Sequence, residues 1–388
     1  MKITCFTESV SQLGGGLFDA ERRLQQSVMR LENELEVDVL GMWDVRSEED
    51  RDQWNPVSTA TVRTARFPPG LGYSSGFEQH LSQQNPELVY CIGLWKYFSK
   101  SCLNWYKKTG RPYMIAPHGM LDPWAMRNHK MRKKLLMLLY QRSHLSNAAC
   151  IRALNTAELK AIRGLGFKNP VCVIPNGVDL PEIPDDKQPT GDRPTILFLG
   201  RLHPKKGVEV LLDSWQQFVA HSGRDYMLKI VGWGDSSYVE KLKQLIKTEN
   251  LGTSVEMTGP LFGKEKHDAF LQASAFILPS FSEGMPMTVL EAWSYEIPVI
   301  MTPQCNIPEG TQNSASISCQ PEVTSVLEAM EQFGNMNAGD LQTMGRNGRR
   351  LVEREFTWEV VGSKMASVYY WLTGKSDRPD WISHAKIP

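Results

Sequence analysis

The clearest chemical feature of the chain is a pair of glutamates with seven residues between them, in Ser282-Glu283-Gly284-Met285-Pro286-Met287-Thr288-Val289-Leu290-Glu291. Pro286 suits the first turn of a helix, where a missing amide proton costs nothing. Met287 and Thr288 would then present unsatisfied backbone donors. Glu283 would lie in the loop before that helix and Glu291 about one turn inside it. Glu291 stands among Val289, Leu290, Ala292 and Trp293, so its carboxylate leaves an apolar segment and needs a partner. Two partners fit: the vicinal hydroxyls of a ribose, which dinucleotide folds bind through an acidic residue, or a neighbouring lysine.

A second group is cationic. Gly200-Arg201-Leu202-His203-Pro204-Lys205-Lys206-Gly207 follows the apolar run Thr195 to Leu199 and precedes the helical run Val208 to Val219. Cations at the start of a helix oppose the helix dipole, so an anion there would repay the arrangement. Arg201 can fork onto phosphate oxygens while a lysine ammonium acts as a point charge; the bland alternative is a solvated basic loop. Gly14-Gly15-Gly16, behind the first apolar run and before the amphipathic Leu17 to Leu35, lets the backbone approach an anion or simply makes a tight turn. Its spacing is not the G-x-G-x-x-G of dinucleotide enzymes, which disfavours a dehydrogenase. His118 and Gly119 close the run Tyr113 to Pro117, where a histidine serves as a structural hydrogen-bonder or as a site residue. Asp122, before Pro123, reads as a helix N-cap.

These groups need strands ending beneath them. Short apolar runs alternate with amphipathic stretches of ten or more residues, the pattern of parallel sheets with crossover helices. The strand candidates are Lys2–Glu8, Val37–Trp43, Leu88–Leu94, Tyr113–Pro117, Ala148–Ala153 and Val171–Ile174, then a second series from Thr195 through Met227–Val231, Ser254–Thr258, Ala275–Leu278 and Pro298–Met301. Between the series lies the hydrophilic Pro-rich linker Leu180 to Pro194. The expected architecture is α/β, with two successive Rossmann-like units whose ligands sit at the carboxyl ends of the strands.

The chain has 388 residues, long enough for two domains, and 43 Lys plus Arg balance 43 Asp plus Glu. With 41% hydrophobic residues it is neither a disordered polyelectrolyte nor a bulk nucleic-acid binder. Its beginning reads as a strand rather than a signal peptide, and the seven scattered cysteines suit reduced thiols of a cytoplasmic protein, with no zinc or redox spacing.

Taken together, E-G-M-P-M-T-V-L-E, G-R-L-H-P-K-K-G, G-W-G after Val231, I-P-N-G-V-D, A-P-H-G-M-L and F-T-W resemble the retaining glycosyltransferases of family 4 (group 1), of the bacterial polysaccharide-assembly type. The resemblance implies the GT-B architecture, two Rossmann-like domains facing each other across a cleft: an acceptor domain over 1–180, a donor domain over 195–357, and a C-terminal helix within 358–388 crossing back to the first. It implies that Arg201 and Lys206 hold the donor diphosphate, Glu291 the ribose, and Glu283 with Gly284, Met285, Pro286 and Met287 the transferred sugar. Gly15 and Gly16 close over the phosphates, Gly232 and Gly234 border the nucleotide, Pro260 and Leu261 meet the base, and His118 stands near the reacting sugar. The family uses no metal or other cofactor, and no Asp-x-Asp pair stands in the candidate loops; Asp185-Asp186 lies in the linker. The expected activity is metal-independent hexosyl transfer from a nucleoside-diphosphate sugar, of uridine or guanosine, to an acceptor hydroxyl. The runners-up are a nucleotide-sugar epimerase of the same fold and a non-catalytic nucleotide-sugar-binding protein.

Charge is local rather than global. From Lys96 to Lys168 fifteen Lys and Arg face only Asp122 and Glu158, and Met126 to Leu145 interleaves basic residues with Leu, Met and Tyr. That pattern fits an interfacial helix on an anionic membrane surface, which would make the protein peripheral on the cytoplasmic face of the membrane, with a lipid-linked saccharide as acceptor.

Overall fold

The computed structural model describes residues 1–68, 70–127, 129–184 and 193–383. The centre of the linker, 185–192, and with it Asp185-Asp186, lies outside the described residues. The chain divides into two compact units, one of residues 1–177 with 358–388 and one of residues 178–357.

The first unit is built on seven parallel strands, β1 (Lys2–Phe6), β2 (Glu36–Met42), β3 (Ser58–Val62), β4 (Leu88–Ile92), β5 (Tyr113–Ala116), β6 (Cys150–Ala153) and β7 (Val171–Val173), in the order β3-β2-β1-β4-β5-β6-β7. The central strands β1, β4, β5 and β6 are almost wholly buried because helices cover both faces, which is why they read as continuous apolar runs. One face packs on the helix Gly16–Leu31, which in turn carries the helix Trp358–Leu372. Ser27 Oγ donates to Trp358 O at 2.7 Å, and Gly362 has no side chain because a Cβ there would stand 2.5 Å from Ser27 Oγ.

The second unit has six parallel strands, β8 (Thr195–Leu199), β9 (Met227–Val231), β10 (Val255–Gly259), β11 (Ala275–Leu278), β12 (Val299–Met301) and β13 (Ser316–Ser318), in the order β10-β9-β8-β11-β12-β13. The core runs through Phe198, Leu211, Trp215, Ile230, Phe276, Leu290 and Trp293.

Two strands carry no sequence signal. β3 and β13 are edge strands of composition STATV and SIS, short, polar and partly solvated, so no apolar run marks them. The stretch 126–145 is also not one helix. A short helix, Pro123–Arg127, ends before His129, whose φ of 53° is left-handed. The main helix starts at Lys130, passes through a π-helical turn at Met137–Gln141 and continues over Arg142–Asn147.

Candidate active site

In each sheet the chain order reverses beside the first strand of the unit, between β1 and β4 and between β8 and β11. Connections leave such a pair in opposite directions, and a crevice opens at the carboxyl ends of the strands. In the second unit the loops after β8 and β11 meet there. Gly207 has φ 71°, and a Cβ on it would stand 2.1 Å from Pro279 O, so only glycine lets the basic turn Pro204–Lys206 press against the β11 loop. Phe281 N donates to Lys205 O at 2.8 Å and locks the contact.

That contact brings together two residues far apart in sequence: Lys206 Nζ lies 2.6 Å from Glu283 Oε1. The same oxygen accepts from Ser280 Oγ at 2.6 Å, while Glu283 O accepts from Asn306 Nδ2 at 2.6 Å. Arg201 is exposed on the same loop. The potential there is positive. His203 is held below the ordinary imidazole value by its partial burial and then by Lys205, Arg201 and Lys206.

Gly284 and the buried Pro286 lead into the helix Met287–Ser294, with Met285 and Met287 packed against the core. Its first backbone N–H groups point to the crevice end of the sheet. Glu291 Oε1 accepts from Lys266 Nζ at 2.7 Å, the lysine alternative raised by its apolar neighbours, and Tyr295 is pushed up to about 12 by burial and by Glu291. Lys266 is on the helix Gly263–Gln272, which follows Pro260 and Leu261 after β10. Arg201, Lys206, Pro260, Leu261 and Glu283 therefore stand on the loops after β8, β10 and β11, with Glu291 on the helix that follows the last of them.

Gly232 and Gly234 are glycines for a packing reason. A Cβ on Gly232 would stand 1.8 Å from Gly200 O, and one on Gly234 2.1 Å from Leu202 O. The β8 and β9 loops thus touch backbone to backbone, and Trp233 is turned outward, 57% exposed, with its carbonyl accepting from Leu202 N at 2.7 Å.

In the first unit Gly15 (φ 60°) caps the helix that Gly16 begins, and beyond its own chain neighbours and the helix backbone no heavy atom lies within 4 Å of where a Cβ on either would stand. His118 is not a free imidazole. Its Nε2 lies 2.8 Å from Glu21 Oε1, on the second turn of that same helix, and Arg152 Nη1 donates to the same oxygen at 2.7 Å. Burial opposes ionisation of Glu21, but Arg152 and His118 overcome it and hold the carboxyl below its usual range. Arg152 also donates to Ile174 O, Pro175 O and Asn176 Oδ1. Glu21 and Arg152 escaped sequence reasoning, although a signal existed: an acid at a core position between Phe18 and Leu24, and an arginine inside the apolar run of β6.

Among the described residues no group of three or more His, Cys, Asp or Glu side chains is placed to hold a metal ion. All seven cysteines are buried free thiols.

Residues 179–351 match the family model described as glycosyl transferases group 1, and residues 20–177 match the glycosyl transferase 4-like domain. The chain belongs to the group 1, family 4 type glycosyltransferases. A human phosphatidylinositol N-acetylglucosaminyltransferase component is 28% identical over 200 residues, 51% of this chain and 40% of that protein. The chain spans about half the length of the curated relatives it matches. Two solved structures carry the fold: sucrose-phosphate synthase of Thermosynechococcus elongatus (TM-score 0.74, 18% identity, 97% of this chain and 100% of that one) and Anabaena HepE in complex with UDP and glucose (TM-score 0.73, 17% identity, 95% and 99%). The fold is accordingly GT-B, with two Rossmann-like α/β domains. Chemically, the β8 and β11 loops bring cations together with one buried carboxylate, Glu283.

Proposed function

We propose that the protein is a retaining, metal-independent hexosyltransferase that moves a sugar from a nucleoside-diphosphate donor to a hydroxyl of a lipid-linked saccharide. The observation that carries the reading is the Lys206–Glu283 pair at the β8/β11 switch point, 2.6 Å apart beside the exposed Arg201. A donor diphosphate entering this crevice takes Lys206 and Arg201 as counter-charges. Glu283, released from its lysine, then accepts hydrogen bonds from the transferred sugar with Gly284 to Met287 behind it. Glu291 exchanges Lys266 for the ribose hydroxyls, and the backbone near Pro260 and Leu261 meets the base.

In the transfer, the bond from the anomeric carbon to the phosphate oxygen breaks and a bond from that carbon to the acceptor oxygen forms on the same face. The acceptor proton passes to the departing phosphate oxygen. Charge develops on that oxygen, and Arg201, Lys206 and the starts of the Val208 and Met287 helices stabilise it without reorganisation. In the first unit His118 is held in one orientation by Glu21.

The lipid-linked acceptor rests on the helix from Lys130. Met131, Leu135, Leu138 and Leu139, at helical spacing, are 82%, 55%, 84% and 64% exposed, and Lys130, Arg132 and Lys134 are exposed among them. Lys133 is a correction to the basic face: its Nζ donates to Ala125 O at 2.6 Å and lies over the Trp95 ring, so it is turned inward. Apolar residues entering an anionic leaflet, with about 1 kcal/mol from each adjacent cation, make a reversible peripheral anchor on the cytoplasmic face. Among the described residues no helix is long and apolar enough to cross a membrane. The human relative, named for phosphatidylinositol, supports a lipid acceptor.

The test is release of nucleoside diphosphate from a panel of UDP- and GDP-sugars, UDP-glucose first, without acceptor and then with lipid extracts, in EDTA. Release in EDTA and an NMR product with the donor's anomeric configuration are the expected results. Inversion, or activity restored only by manganese, contradicts the reading. For the anchor, sedimentation with vesicles of rising anionic-lipid content is expected to weaken in high salt and on changing Lys130, Arg132 and Lys134 to Glu.

A further inference from the structure

The carboxylate assigned to the transferred sugar stands on a stretch with no regular structure of its own. Residues 279–286 join β11 to the helix Met287–Ser294 with no helical or strand residue among them. Glu283 lies in the middle of that stretch with its side chain 6% exposed, and its backbone is fixed from the next loop. After β12 the turn Pro303–Cys305 ends at Asn306, whose φ of 59° is left-handed. Glu283 N donates to Gln304 O at 3.0 Å, and Asn306 Nδ2 donates to Glu283 O at 2.6 Å. Both main-chain polar groups of Glu283 are thus held by one turn.

The turn is itself anchored. Thr302 Oγ1 donates to Ser280 O at 2.6 Å, and Asn306 N donates to Pro303 O at 3.0 Å. Thr302 and Cys305 are 1% and 0% exposed. Burial and then the Glu283 charge push the Cys305 thiol up to about 12, so it stays neutral and donates to Leu278 O at 3.7 Å. The loops after β11 and β12 are in this way stitched together on both sides of Glu283.

The carboxylate has a weaker hold. Lys206 Nζ and Ser280 Oγ share its Oε1, and donor binding draws Lys206 to a phosphate. From then on the direction of the carboxylate depends on Ser280 and on a backbone that does not turn. Placement within about 0.5 Å is what a reacting site needs, and a shift of about 1 Å costs up to ~10²-fold in rate.

We propose that Asn306 is a positioning residue of the transfer, whose hydrogen bond to the Glu283 carbonyl keeps the Glu283 carboxylate aimed at the sugar once Lys206 has gone to the diphosphate. The inference rests on the glycosyltransferase reading and adds to it a residue from outside the β8 and β11 loops. Asparagine suits the place because it tolerates a left-handed backbone and carries a donor there. Glycine keeps that backbone without the donor, and aspartate keeps the shape with an acceptor in its stead.

The experiment compares the whole parent protein with Asn306→Gly and Asn306→Asp by steady-state kinetics and by calorimetric titration with UDP and GDP. In both variants kcat per nucleotide-binding site falls at least ~10-fold, while the Kd of the nucleotide that the parent binds stays within ~2-fold, because Arg201 and Lys206 are untouched. A residue that merely supported the fold would reduce the number of binding sites and leave kcat per site alone. Hydrogen exchange over residues 280–287, read by mass spectrometry without ligand, is faster in both variants. The inference is overturned if either variant keeps the parent kcat per site, if nucleotide affinity falls as far as kcat, or if exchange over 280–287 is unchanged. A parent that binds neither nucleotide contradicts the donor reading instead, and the exchange over 280–287 still decides whether Asn306 holds the loop.

Discussion

Each unit sets a carboxylate against cations, but the two arrangements are closed differently. In the first unit Glu21 takes Arg152, His118 and Tyr90 on one oxygen and Gln25 on the other; the Glu21 and Arg152 side chains are 1% and 0% exposed. The spare Arg152 donors end on backbone carbonyls and Asn176. In the second unit Lys206–Glu283 is 13% and 6% exposed, with Ser280 Oγ on the same carboxylate oxygen, and Lys266–Glu291 is 32% and 24% exposed, with Arg201 open to solvent. The difference separates two uses of buried charge. A network satisfied on every side holds a side chain, here His118, in one place, whereas an ion pair at the edge of a crevice can exchange a partner for a ligand.

The comparison breaks most readily at Arg152. Arg152→Met strands the Glu21 carboxylate in the core and is expected to cost about 3–5 kcal/mol in urea unfolding. Gly207→Ala forces a side chain into a left-handed backbone and against Pro279 O, for about 2–3 kcal/mol, and separates Lys206 from Glu283, so activity falls with stability. The pH dependence is smaller. The folded carboxyl of Glu21 titrates below its unfolded value, so its stabilisation is complete above the unfolded value and is lost as pH falls through the folded one. Unfolding free energy should therefore drop on acidification below about pH 4.3, by at most about 1.4 kcal/mol per unit from this group, and Glu21→Gln should flatten that limb. Lys266→Met should cost least, about 1 kcal/mol or less, because its pair is partly solvated. Equal losses in Arg152→Met and Lys266→Met would erase the distinction.

What could be read from sequence was local. The Arg201 to Lys206 loop and the Glu283 to Glu291 run each lie on one strand-loop-helix unit, so spacing alone located them. Apolar runs likewise revealed the central strands, whereas β3 lacks such a run because it is partly exposed along its whole length, and β13 because it is three residues long with serine at both ends. The Glu21–His118–Arg152 network could not be read this way, since its members are 97 and 131 residues apart and meet only through the order of β1, β4, β5 and β6. Lys133 shows the complementary limit. In sequence it is one of six Lys and Arg between Met126 and Leu145, and only the packing of its helix beside Trp95 and Ala125 turns it inward.

The central claim is that the exchangeable pairs of the second unit divide the work, Lys206 acting on the leaving phosphate and Glu291 on the bound ribose. Steady-state kinetics of Lys206→Ala and Glu291→Ala with the donor found by the panel tests it directly. Lys206→Ala should lower kcat by about 10²–10³ with a modest change in donor KM, because its charge is needed most in the transition state. Glu291→Ala should mainly raise donor KM and leave kcat within about 5-fold, because the ribose is held equally in ground and transition states. Indistinguishable defects in kcat and KM for the two variants would contradict the account.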